Sequence, residues 1–504
     1  MTAPMPPLAG EPRRTVVHVR ELLADSLTPL AVYRRLRAIS PVRFLFESVT
    51  GGEQVSRFSF LGAGPREVYR LWPDRVERTR DGKTTCLNGE PLEALRTVLA
   101  GFAGDQGPIP FTGGFVGFFG YDIVRLVEHL PSPPAHDPYD LPIALFGRFD
   151  EVVVFDHAQQ RVLAIANEIE GEVSVLEAEQ ALARLVDLLT AEGGAGGVAL
   201  PPRSEVQEMA PIGEASIDGP SYRAAVERAK EFIRAGDIFQ VVLARRFTVP
   251  DAPRPVALYR ALRVINPSPY MVLLETDDAA LVGCSPEMLV RKSGRRLENR
   301  PIAGTRPRGA DAVDDERLAQ DLLADPKERA EHVMLVDLGR NDVGKVGRPG
   351  TVDVETFMQI ERYSHVMHIV SSVAAELDEG HDALDALLSC FPAGTVSGAP
   401  KIRAMEIIDE LEPERRGPYA GAVGYVSFTG DVDTCITLRT LVVRDGKTSI
   451  SAGAGLVADS DPAAEERETE NKAAALLAAV ALAQRLDAAD AERRKRTEPK
   501  ETPT

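Results

Sequence analysis

Two pairs of glutamates in the second half of the sequence are spaced for joint chemistry: Glu328 with Glu331, and Glu465 with Glu468. Residues three apart are neighbours on one face of a helix, so each pair would project two carboxylates the same way. An Asp-Pro step precedes both pairs, at Asp325-Pro326 and Asp461-Pro462, and predicts that a helix begins there. Two converging faces would form an oxygen-rich site that suits Mg²⁺. Acidic first turns also follow from the helix dipole alone, so spacing by itself leaves metal binding open.

Glycines and histidines leave several roles open. The string from Gly394 to Lys401 has the wrong glycine spacing for a phosphate loop, and no GxGxxG turn follows a strand. Gly453 and Gly455 could present backbone amides to a carboxylate, although a bulge or tight turn is the commoner reason for such glycines. His365 and His368 fit a structural role as well as a catalytic one. Nucleotide cofactors are therefore not expected.

The composition excludes several classes of function. The chain has 504 residues and a net charge of −18, which disfavours nonspecific binding to nucleic acid or anionic membranes. An anionic ligand must therefore meet a local concentration of positive charge. Met1 to Arg14 lacks the apolar stretch of a signal peptide, and the run Ala473 to Ala483 is too short to span a membrane. The four cysteines are scattered without metal-site spacing, so we expect a soluble enzyme in the reducing cytoplasm.

The order of strand-like and helix-like segments indicates two parts. The N-terminal part is expected over residues 1–200 and the C-terminal part over residues 221–484. Residues 201–220 are predicted to be a linker, because glycines and prolines cluster just before and within it. Residues 485–504 are charged and are predicted to be a frayed helix end followed by a disordered tail. We expect no internal repeat.

Local patterns predict individual elements within the C-terminal part. Tyr222 to Arg234 has helical spacing and Gly236 ends it, and Ile238 to Phe247 is typical of a strand. The helix that begins at Asp325-Pro326 is expected to run to Leu338, before Gly339. The helix that begins at Asp325-Pro326 would carry the first glutamate pair.

Longer strings resemble one family. They are Asp237-Ile-Phe-Gln-Val-Val-Leu, Asn266-Pro-Ser-Pro-Tyr-Met, Arg300-Pro-Ile-Ala-Gly-Thr-Arg-Pro-Arg-Gly, Glu331-His-Val-Met-Leu-Val-Asp-Leu and Phe391-Pro-Ala-Gly-Thr-Val-Ser-Gly-Ala-Pro-Lys. From about Ser26 to Ala483 the chain resembles the large subunit, component I, of anthranilate synthase, among the chorismate-using enzymes. The resemblance implies an α+β fold with an antiparallel β-sandwich core and helices packed outside in α/β/β/α layers. It also implies a regulatory N-terminal part that binds tryptophan and a catalytic C-terminal part that binds chorismate.

The resemblance implies roles for particular residues. Mg²⁺ would be bound chiefly by Glu331 and Glu468, supported by Glu328 and Glu465. Catalysis would involve Glu287 as the general acid, with His368, Thr395 and Gln240. The residues expected to contact chorismate are Ala303, Gly304, Thr305, Tyr419, Arg439, Gly453, Ala454 and Gly455. Ammonia would add at C2 while the acid, with a raised pKa, protonates the departing C4 hydroxyl, before pyruvate is eliminated.

Two positions separate the relatives within this family. Isochorismate and salicylate synthases carry a lysine base where this chain has Gln240, and aminodeoxychorismate synthases commonly carry a nucleophilic lysine where it has Ala303. We therefore expect amination to anthranilate, the first committed step of tryptophan biosynthesis. A 2-amino-2-deoxyisochorismate synthase stays open as the alternative, ahead of an aminodeoxychorismate synthase. A tryptophan-binding module without activity would predict loss of Glu287, His368 or the glutamates, and none is lost.

Regulation and a partner are also implied by the resemblance. A tryptophan feedback site would comprise Phe46, Glu47, Ser48, Asn266, Pro267, Pro269, Tyr270 and Met271. Phe46 departs from the family's Leu-Leu-Glu-Ser, and Ala244-Arg245 departs from its usual Ser-Gln. No cysteine lies in the Gly-x-Cys-x-Gly context of a glutaminase. Ammonia is therefore expected from a separate glutamine amidotransferase subunit, component II, in a heterotetramer with two copies of each chain.

Overall fold

The computed structural model describes residues 11–23, 25–48, 57–131, 133–191, 213–363 and 366–497. The N-terminal strands are β1 Arg13–Leu23, β2 Arg43–Glu47, β3 Phe58–Ala63, β4 Glu67–Leu71, β5 Val76–Arg80, β6 Lys83–Leu87, β7 Phe102–Gly104, β8 Gly114–Phe119, β9 Ala144–Phe149, β10 Glu151–Asp156 and β11 Arg161–Ile169. The C-terminal strands are β12 Glu214–Ala215, β13 Gln240–Val249, β14 Tyr270–Glu275, β15 Ala280–Ser285, β16 Met288–Ser293, β17 Arg296–Asn299, β18 Ile302–Pro307, β19 Asp353–Arg362, β20 Val366–Glu376, β21 Gly398–Ala399, β22 Ala422–Ser427, β23 Val432–Ile436, β24 Thr440–Arg444 and β25 Lys447–Leu456. The helices are α1 Pro29–Leu36, α2 Pro91–Leu99, α3 Val175–Thr190, α4 Gly219–Ala235, α5 Pro255–Ile265, α6 Ala312–Ala324, α7 Pro326–Gly344, α8 Ala383–Cys390, α9 Lys401–Leu411 and α10 Pro462–Thr497, with 3₁₀ turns at Tyr121–Leu126 and Gly394–Val396.

Two large sheets pack face to face. A thirteen-stranded and a twelve-stranded sheet meet in a cluster that joins Phe44 and Val272 of the first to Val116 and Val423 of the second. Helices α1, α3, α5 and α10 cover the outside of the first sheet, and α2, α7 and α8 cover the second. Neighbouring strands run antiparallel, apart from the short parallel pairing of β7 with β1. The predicted α+β fold, an antiparallel sandwich in α/β/β/α layers, is confirmed.

The two halves of the chain have the same strand topology. From its middle outwards, the first sheet runs β2-β3-β10-β11-β1 in the N-terminal half and β14-β15-β24-β25-β13 in the C-terminal half. The second sheet runs β8-β9-β4-β5-β6 and β22-β23-β16-β17-β20. The expectation of no internal repeat is therefore wrong. Its trace in the sequence is a pair of similar strings, which form α1 and α5: Pro29-Leu-Ala-Val-Tyr-Arg-Arg-Leu-Arg-Ala-Ile-Ser-Pro and Pro255-Val-Ala-Leu-Tyr-Arg-Ala-Leu-Arg-Val-Ile-Asn-Pro.

The C-terminal half carries two insertions that its counterpart lacks. Strands β5 and β6 are joined by a tight turn at Asp81-Gly82, whereas β18, α6, α7 and β19 lie between β17 and β20. A second insertion, with the 3₁₀ turn Gly394–Val396, β21 and α9, separates α8 from β22. Both insertions carry residues that the sequence singled out for chemistry.

Reciprocal contacts join the halves at the seam, where β2 pairs with β14 and β8 pairs with β22. The hydroxyl of Tyr33 in the N-terminal half donates to Glu275 in the C-terminal half, and the hydroxyl of Tyr259 donates back to Glu47. The two tyrosines occupy the same place in the two similar strings. Both sheets therefore run without interruption from one half into the other.

Three predicted boundaries shift. Within the predicted linker, Glu214–Ala215 pairs with β13 as an edge strand and α4 already begins at Gly219, while the earlier linker residues lie outside the described ones. Helix α7 continues past Leu338 to Gly344, so Gly339 does not end it. This glycine instead allows close packing, since a Cβ there would lie 2.9 Å from Asn299 Oδ1. Helix α10 continues to Thr497, so the helix end predicted beyond residue 485 extends at least that far, and residues 498–504 lie outside the described ones. Asp487 and Asp490 bind Arg254 of the turn before α5, which holds this end of the helix in place.

Candidate active site

One cavity of about 560 Å³ in the C-terminal half gathers nearly all the predicted catalytic, substrate and metal residues. The predicted residues that line it are Gln240, Glu287, Ala303, Gly304, Thr305, Glu328, Glu331, His368, Thr395, Tyr419, Arg439, Gly453, Gly455, Glu465 and Glu468. Ala454 does not line it, because its side chain points from β25 into the core beneath α4. Residues more than two hundred positions apart in the sequence therefore line one cavity.

Glu287 is a buried acid at the turn from β15 to β16. Its backbone is fixed on both sides, since its carbonyl accepts from the N–H of Ile436 at 3.0 Å and its own N–H reaches Ser285 Oγ at 3.4 Å. Burial raises the pKa of Glu287 to about 8, against the opposing influence of the Arg439 charge. A carboxyl that stays protonated near neutral pH can donate a proton to a leaving group.

His368 on β20 is held as a neutral ring. Its Nδ1 lies 2.8 Å from the carbonyl oxygen of Gly304, so Nδ1 carries the proton and Nε2 is left as an acceptor. Burial lowers the pKa of His368, which keeps the ring uncharged. The Tyr363 ring packs edge-to-face with the His368 ring, with the two ring centroids 5.6 Å apart. His368 is therefore both anchored in the structure and open to the cavity, while His365 lies outside the described residues.

The four glutamates stand on two helix starts, as the spacing predicted. Asp325 caps α7 by accepting from the N–H groups of Lys327 and Glu328, and Asp461 accepts from Ala464 at the start of α10. Burial, and then the charges of Glu328 and Glu468, raise the pKa of Glu331, so the two pairs lie within reach of each other's fields. Burial likewise raises the pKa of Glu465, with Glu468 adding to it.

The glutamates fit a hard cation that keeps part of its water shell. In the described residues no three His, Cys, Asp or Glu side chains are grouped closely enough to hold a metal ion on their own. Carboxylates that raise one another's pKa would be relieved by a divalent cation between them, and Mg²⁺ needs only one or two protein carboxylates. All the donor atoms are oxygens, which matches that class of metal.

Arg439 is a half-buried cation that no carboxylate pairs with in the described part of the chain. Its backbone adopts φ 47° and its carbonyl accepts from the N–H of Cys284 at 3.1 Å, which fixes the turn before β24. Thr395 Oγ1, also in the cavity lining, lies close enough to the Glu287 carboxyl that hydrogen bonding from it opposes the rise in the pKa of Glu287 caused by burial.

Glycines 453 and 455 lie in a regular part of β25 opposite Ala244 and Val242, so they form neither the nest nor the bulge considered from the sequence. A Cβ on Gly453 would lie 2.8 Å from the Tyr419 hydroxyl, and one on Gly455 would lie 2.7 Å from Gln240 Nε2. Beyond Ile450 strand β24 no longer pairs with β25, which leaves one edge of this stretch open. The glycines keep that wall clear for a ligand.

Two lysines in the cavity were not among the predicted site residues. Lys472 Nζ bridges Glu468 Oε1 at 2.7 Å and the carbonyl oxygen of Gly453 at 2.9 Å, tying α10 to the glycine wall. Lys327 lines the cavity at the start of α7. Lys472 lies one helical turn after Glu468, and this spacing could have indicated that it belongs to the site. Lys327 is an exposed lysine in the first turn of a helix, and no feature of the sequence marks it.

The predicted inhibitor residues divide between two further cavities. Phe46, Glu47, Ser48, Pro269, Tyr270 and Met271 line a space of about 70 Å³ at the seam, beside Tyr425 and Asp433. Asn266 and Pro267 do not reach it. With Pro269 they line a cavity of about 540 Å³ that shares His368, Arg439 and Lys472 with the first cavity. The segment Asn266 to Met271 therefore borders the seam cavity and the cavity of about 540 Å³.

No helix among the described residues has both the length and the apolar character needed to cross a membrane.

Comparisons with known proteins show which family the chain is similar to. A family model described as chorismate binding enzyme matches residues 42–478. Anthranilate synthase component 1 of Thermus thermophilus is 47% identical over 475 residues, covering 92% of this chain and 98% of that protein. The Acetivibrio thermocellus component 1 is 46% identical over 473 residues, covering 91% and 94%.

Solved structures give the same result. Anthranilate synthase component I from Streptococcus pneumoniae TIGR4 has 35% sequence identity and a TM-score of 0.76, covering 90% of this chain and 99% of that one. The menaquinone-specific isochorismate synthase from Escherichia coli, at 20% identity and a TM-score of 0.68, covers 94% and 97% and shares the fold. The resemblance drawn from the sequence strings is confirmed, and the chain belongs to the chorismate-binding enzymes.

Proposed function

We propose that the chain converts chorismate and ammonia to anthranilate, pyruvate and water. The main support is that one cavity contains both Arg439, which pairs with no carboxylate among the described residues, and Glu287, which burial keeps protonated. A dianionic substrate needs the first group and a departing hydroxyl needs the second. Its relatives of more than 40% identity carry the name anthranilate synthase component 1, which supports this reaction over others of the family.

The residues divide the work as follows. Arg439 binds the pyruvyl carboxylate through its planar fork, beside Tyr419 and the backbone of Gly453 and Gly455. Gly304 and Thr305 line the same space. Glu287 donates its proton to the C4 hydroxyl as ammonia adds at C2. In the later elimination Nε2 of His368, with Thr395 in the same cavity, accepts the C2 proton as the ring C–O bond breaks, and the departing enol gains a proton at its methylene carbon to become pyruvate.

Mg²⁺ is the proposed metal, held chiefly by Glu331 and Glu468 with Glu328 and Glu465 behind them. When bound, it would neutralise the ring carboxylate of chorismate. Glu468 forms an ion pair with Lys472 at 2.7 Å, and Lys472 also contacts the strand of the substrate wall.

Amination is favoured over hydroxylation by the residues near the reacting ring. Gln240 is buried at the start of β13 and has no pKa that could activate water, and Ala303 offers no nucleophile. Neither feature separates anthranilate formation from a reaction that stops at the aminated intermediate. The 2-amino-2-deoxyisochorismate synthase thus stays the second candidate.

Ammonia would come from a separate glutamine amidotransferase, in a heterotetramer with two copies of each chain, in the cytoplasm. Tryptophan would inhibit through the seam cavity, where Glu47 offers a carboxylate for its ammonium and Tyr425 and Phe60 offer ring contacts. The N-terminal part, residues 1–200, would then be chiefly regulatory and residues 221–484 catalytic. Met271 and Tyr270 belong to the latter, so both parts form the inhibitor site.

The test is fluorescence of anthranilate formed by the purified chain from chorismate, ammonium and Mg²⁺. Glu468→Gln should abolish turnover while leaving the circular-dichroism spectrum unchanged. Glu410→Gln, which changes an exposed glutamate of α9 that does not line the cavity, is the matched control and should keep activity. A non-aromatic aminated product would favour the runner-up, and tryptophan binding without turnover would favour a regulatory module.

A further inference from the structure

Arg245 is a buried arginine on β13 that bonds to one turn of α10. Its side chain is only 3% exposed and packs on the rings of Tyr222 and Phe247. Nε donates to Thr469 Oγ1 at 2.8 Å, and Nη2 donates to the carbonyl oxygen of Glu466 at 3.1 Å and to Glu470 Oε1 at 3.3 Å. A buried guanidinium is stable only where its donors are met, so these contacts hold the helix against the strand.

The bonded residues interleave with the glutamates of the site. Glu466, Thr469 and Glu470 are spaced three and four apart and form one helix face, while Glu465, Glu468 and Lys472 form the next. Fixing the first face fixes the rotation of the helix about its axis. The direction of Glu465 and Glu468 into the cavity is then set as well.

The same strand carries the opposite wall of the cavity. Gln240 and Val242 of β13 line it, and Ala244 and Val242 pair with Gly453 and Gly455. Arg245 therefore ties the glutamate helix to the strand that supports the substrate wall. We propose that Arg245 is a positioning residue that orients Glu465 and Glu468 for the metal; this rests on the proposed magnesium site.

An exposed arginine on the same turn provides the comparison. Arg223 of α4 binds the Glu466 carboxylate from outside, with 43% of its side chain exposed. Exposed ion pairs of this kind add little, since solvent screens them and both side chains lose freedom. If any contact with this turn of α10 were sufficient, Arg223 and Arg245 would contribute equally to metal binding. If the buried contacts set the rotation of α10, only the loss of Arg245 should weaken metal binding.

The experiment measures Mn²⁺ binding to the purified chain by electron paramagnetic resonance, with chorismate present and absent. Arg245→Met, which keeps the volume of the side chain and removes its donors, should weaken Mn²⁺ binding roughly tenfold, the usual effect of removing a group that orients a metal ligand. The KM for ammonium and the circular-dichroism spectrum should not change. Arg223→Met should bind Mn²⁺ as the wild type does.

Thr469→Val is the second variant, because it removes the 2.8 Å bond to Arg245 and keeps the volume of the side chain. It should also weaken Mn²⁺ binding, so the test stands even if Arg245→Met fails to fold. Wild-type Mn²⁺ affinity in folded Arg245→Met or in Thr469→Val overturns the positioning role alone. A wild-type chain that binds no Mn²⁺ overturns the magnesium site and this inference together.

Discussion

The two halves of the chain each place an arginine and a carboxyl group at the same two corners of the sandwich, with the two positions exchanged. In the N-terminal half, the residue just before β4 is Arg66 and the residue just before β10 is Asp150, and these two form an ion pair. In the C-terminal half, the residues just before β16 and β24 are Glu287 and Arg439. No ion pair joins these two among the described residues, and both face the large cavity.

The N-terminal corner is closed further by Arg148, which is wholly buried and pairs with Glu67, Asp150 and Glu172. Burial of charge is tolerated when the charges satisfy one another. The same topology thus stabilises the fold in the N-terminal half, where the charged side chains pair with one another. In the C-terminal half the arginine and the carboxyl form no ion pair, so both are available to a substrate.

Glu287→Gln gives the largest expected effect on the open corner. The amide keeps the shape but cannot donate the proton, so kcat should fall by roughly 10²- to 10⁴-fold, the range for a lost general acid. The measurement is steady-state anthranilate formation with ammonium. The melting temperature should not fall, because the buried carboxyl is neutral in the wild type. Retention of wild-type kcat would remove Glu287 from the mechanism.

The pH dependence should carry the same signature. Since the pKa of Glu287 is raised to about 8, kcat should decline as pH rises through about 8, and this decline should be absent in Glu287→Gln. Stability follows the same sign: the folded state holds this proton more tightly than the unfolded state, so the contribution is full below the unfolded pKa and is lost as pH rises through about 8. Wild type and variant should therefore diverge in melting temperature between mildly acidic and alkaline buffer.

Arg148→Met tests the closed corner. It leaves buried carboxylates without their cation, so the free energy of unfolding should fall by about 3–5 kcal/mol. Urea denaturation followed by circular dichroism measures this. Where the variant is still folded, KM for chorismate should match the wild type, because Arg148 lies in the other half. A stable Arg148→Met variant would contradict the view that this corner is a stabilising network.

Arg439→Met should do the reverse at the open corner. The catalytic efficiency, kcat/KM for chorismate, should fall by the equivalent of about 1.5–3 kcal/mol, as expected for a lost charged hydrogen bond. The free energy of unfolding should not change, since no carboxylate in the described residues depends on this cation. A loss of stability comparable to that of Arg148→Met would show that the two corners do not differ in this way.

Phe46→Leu, at the seam between the halves, is expected to have the smallest effect. The seam cavity of about 70 Å³ is tight for an indole amino acid, and the shorter side chain restores the family's Leu-Leu-Glu-Ser. The tryptophan concentration for half-maximal inhibition should fall a few-fold while uninhibited kcat stays the same. Weaker inhibition would mean that the Phe46 ring is itself a contact for the ligand.

Local features of the fold followed from the sequence, and distant ones did not. The starts of α7 and α10 were predictable because Asp325 and Asp461 cap neighbouring N–H groups, which needs no knowledge of the rest of the chain. Whether those two helices converge depends on packing across more than a hundred residues. Spacing left that open, and only the resemblance to the family supplied it.

The repeat escaped for a related reason. Strand positions in the core accept many apolar residues, so the two halves keep their topology with little residue identity apart from the strings of α1 and α5. The end of α10 was missed because Asp487 looks like a solvated charge until its partner Arg254 is seen. The departure at Ala244-Arg245 was visible in the sequence, but its contact with Thr469 was not.

The reciprocal bonds of Tyr33 and Tyr259 have a consequence for the chain as a whole. A contact in which each side offers the same group to the other is the mark of an isologous dimer interface, and here it occurs within a single polypeptide. Each half donates a hydrogen bond to an acid of the other, as subunits of an obligate dimer do. The two halves should therefore melt in one transition, with the covalent link replacing the concentration dependence that a true dimer would show.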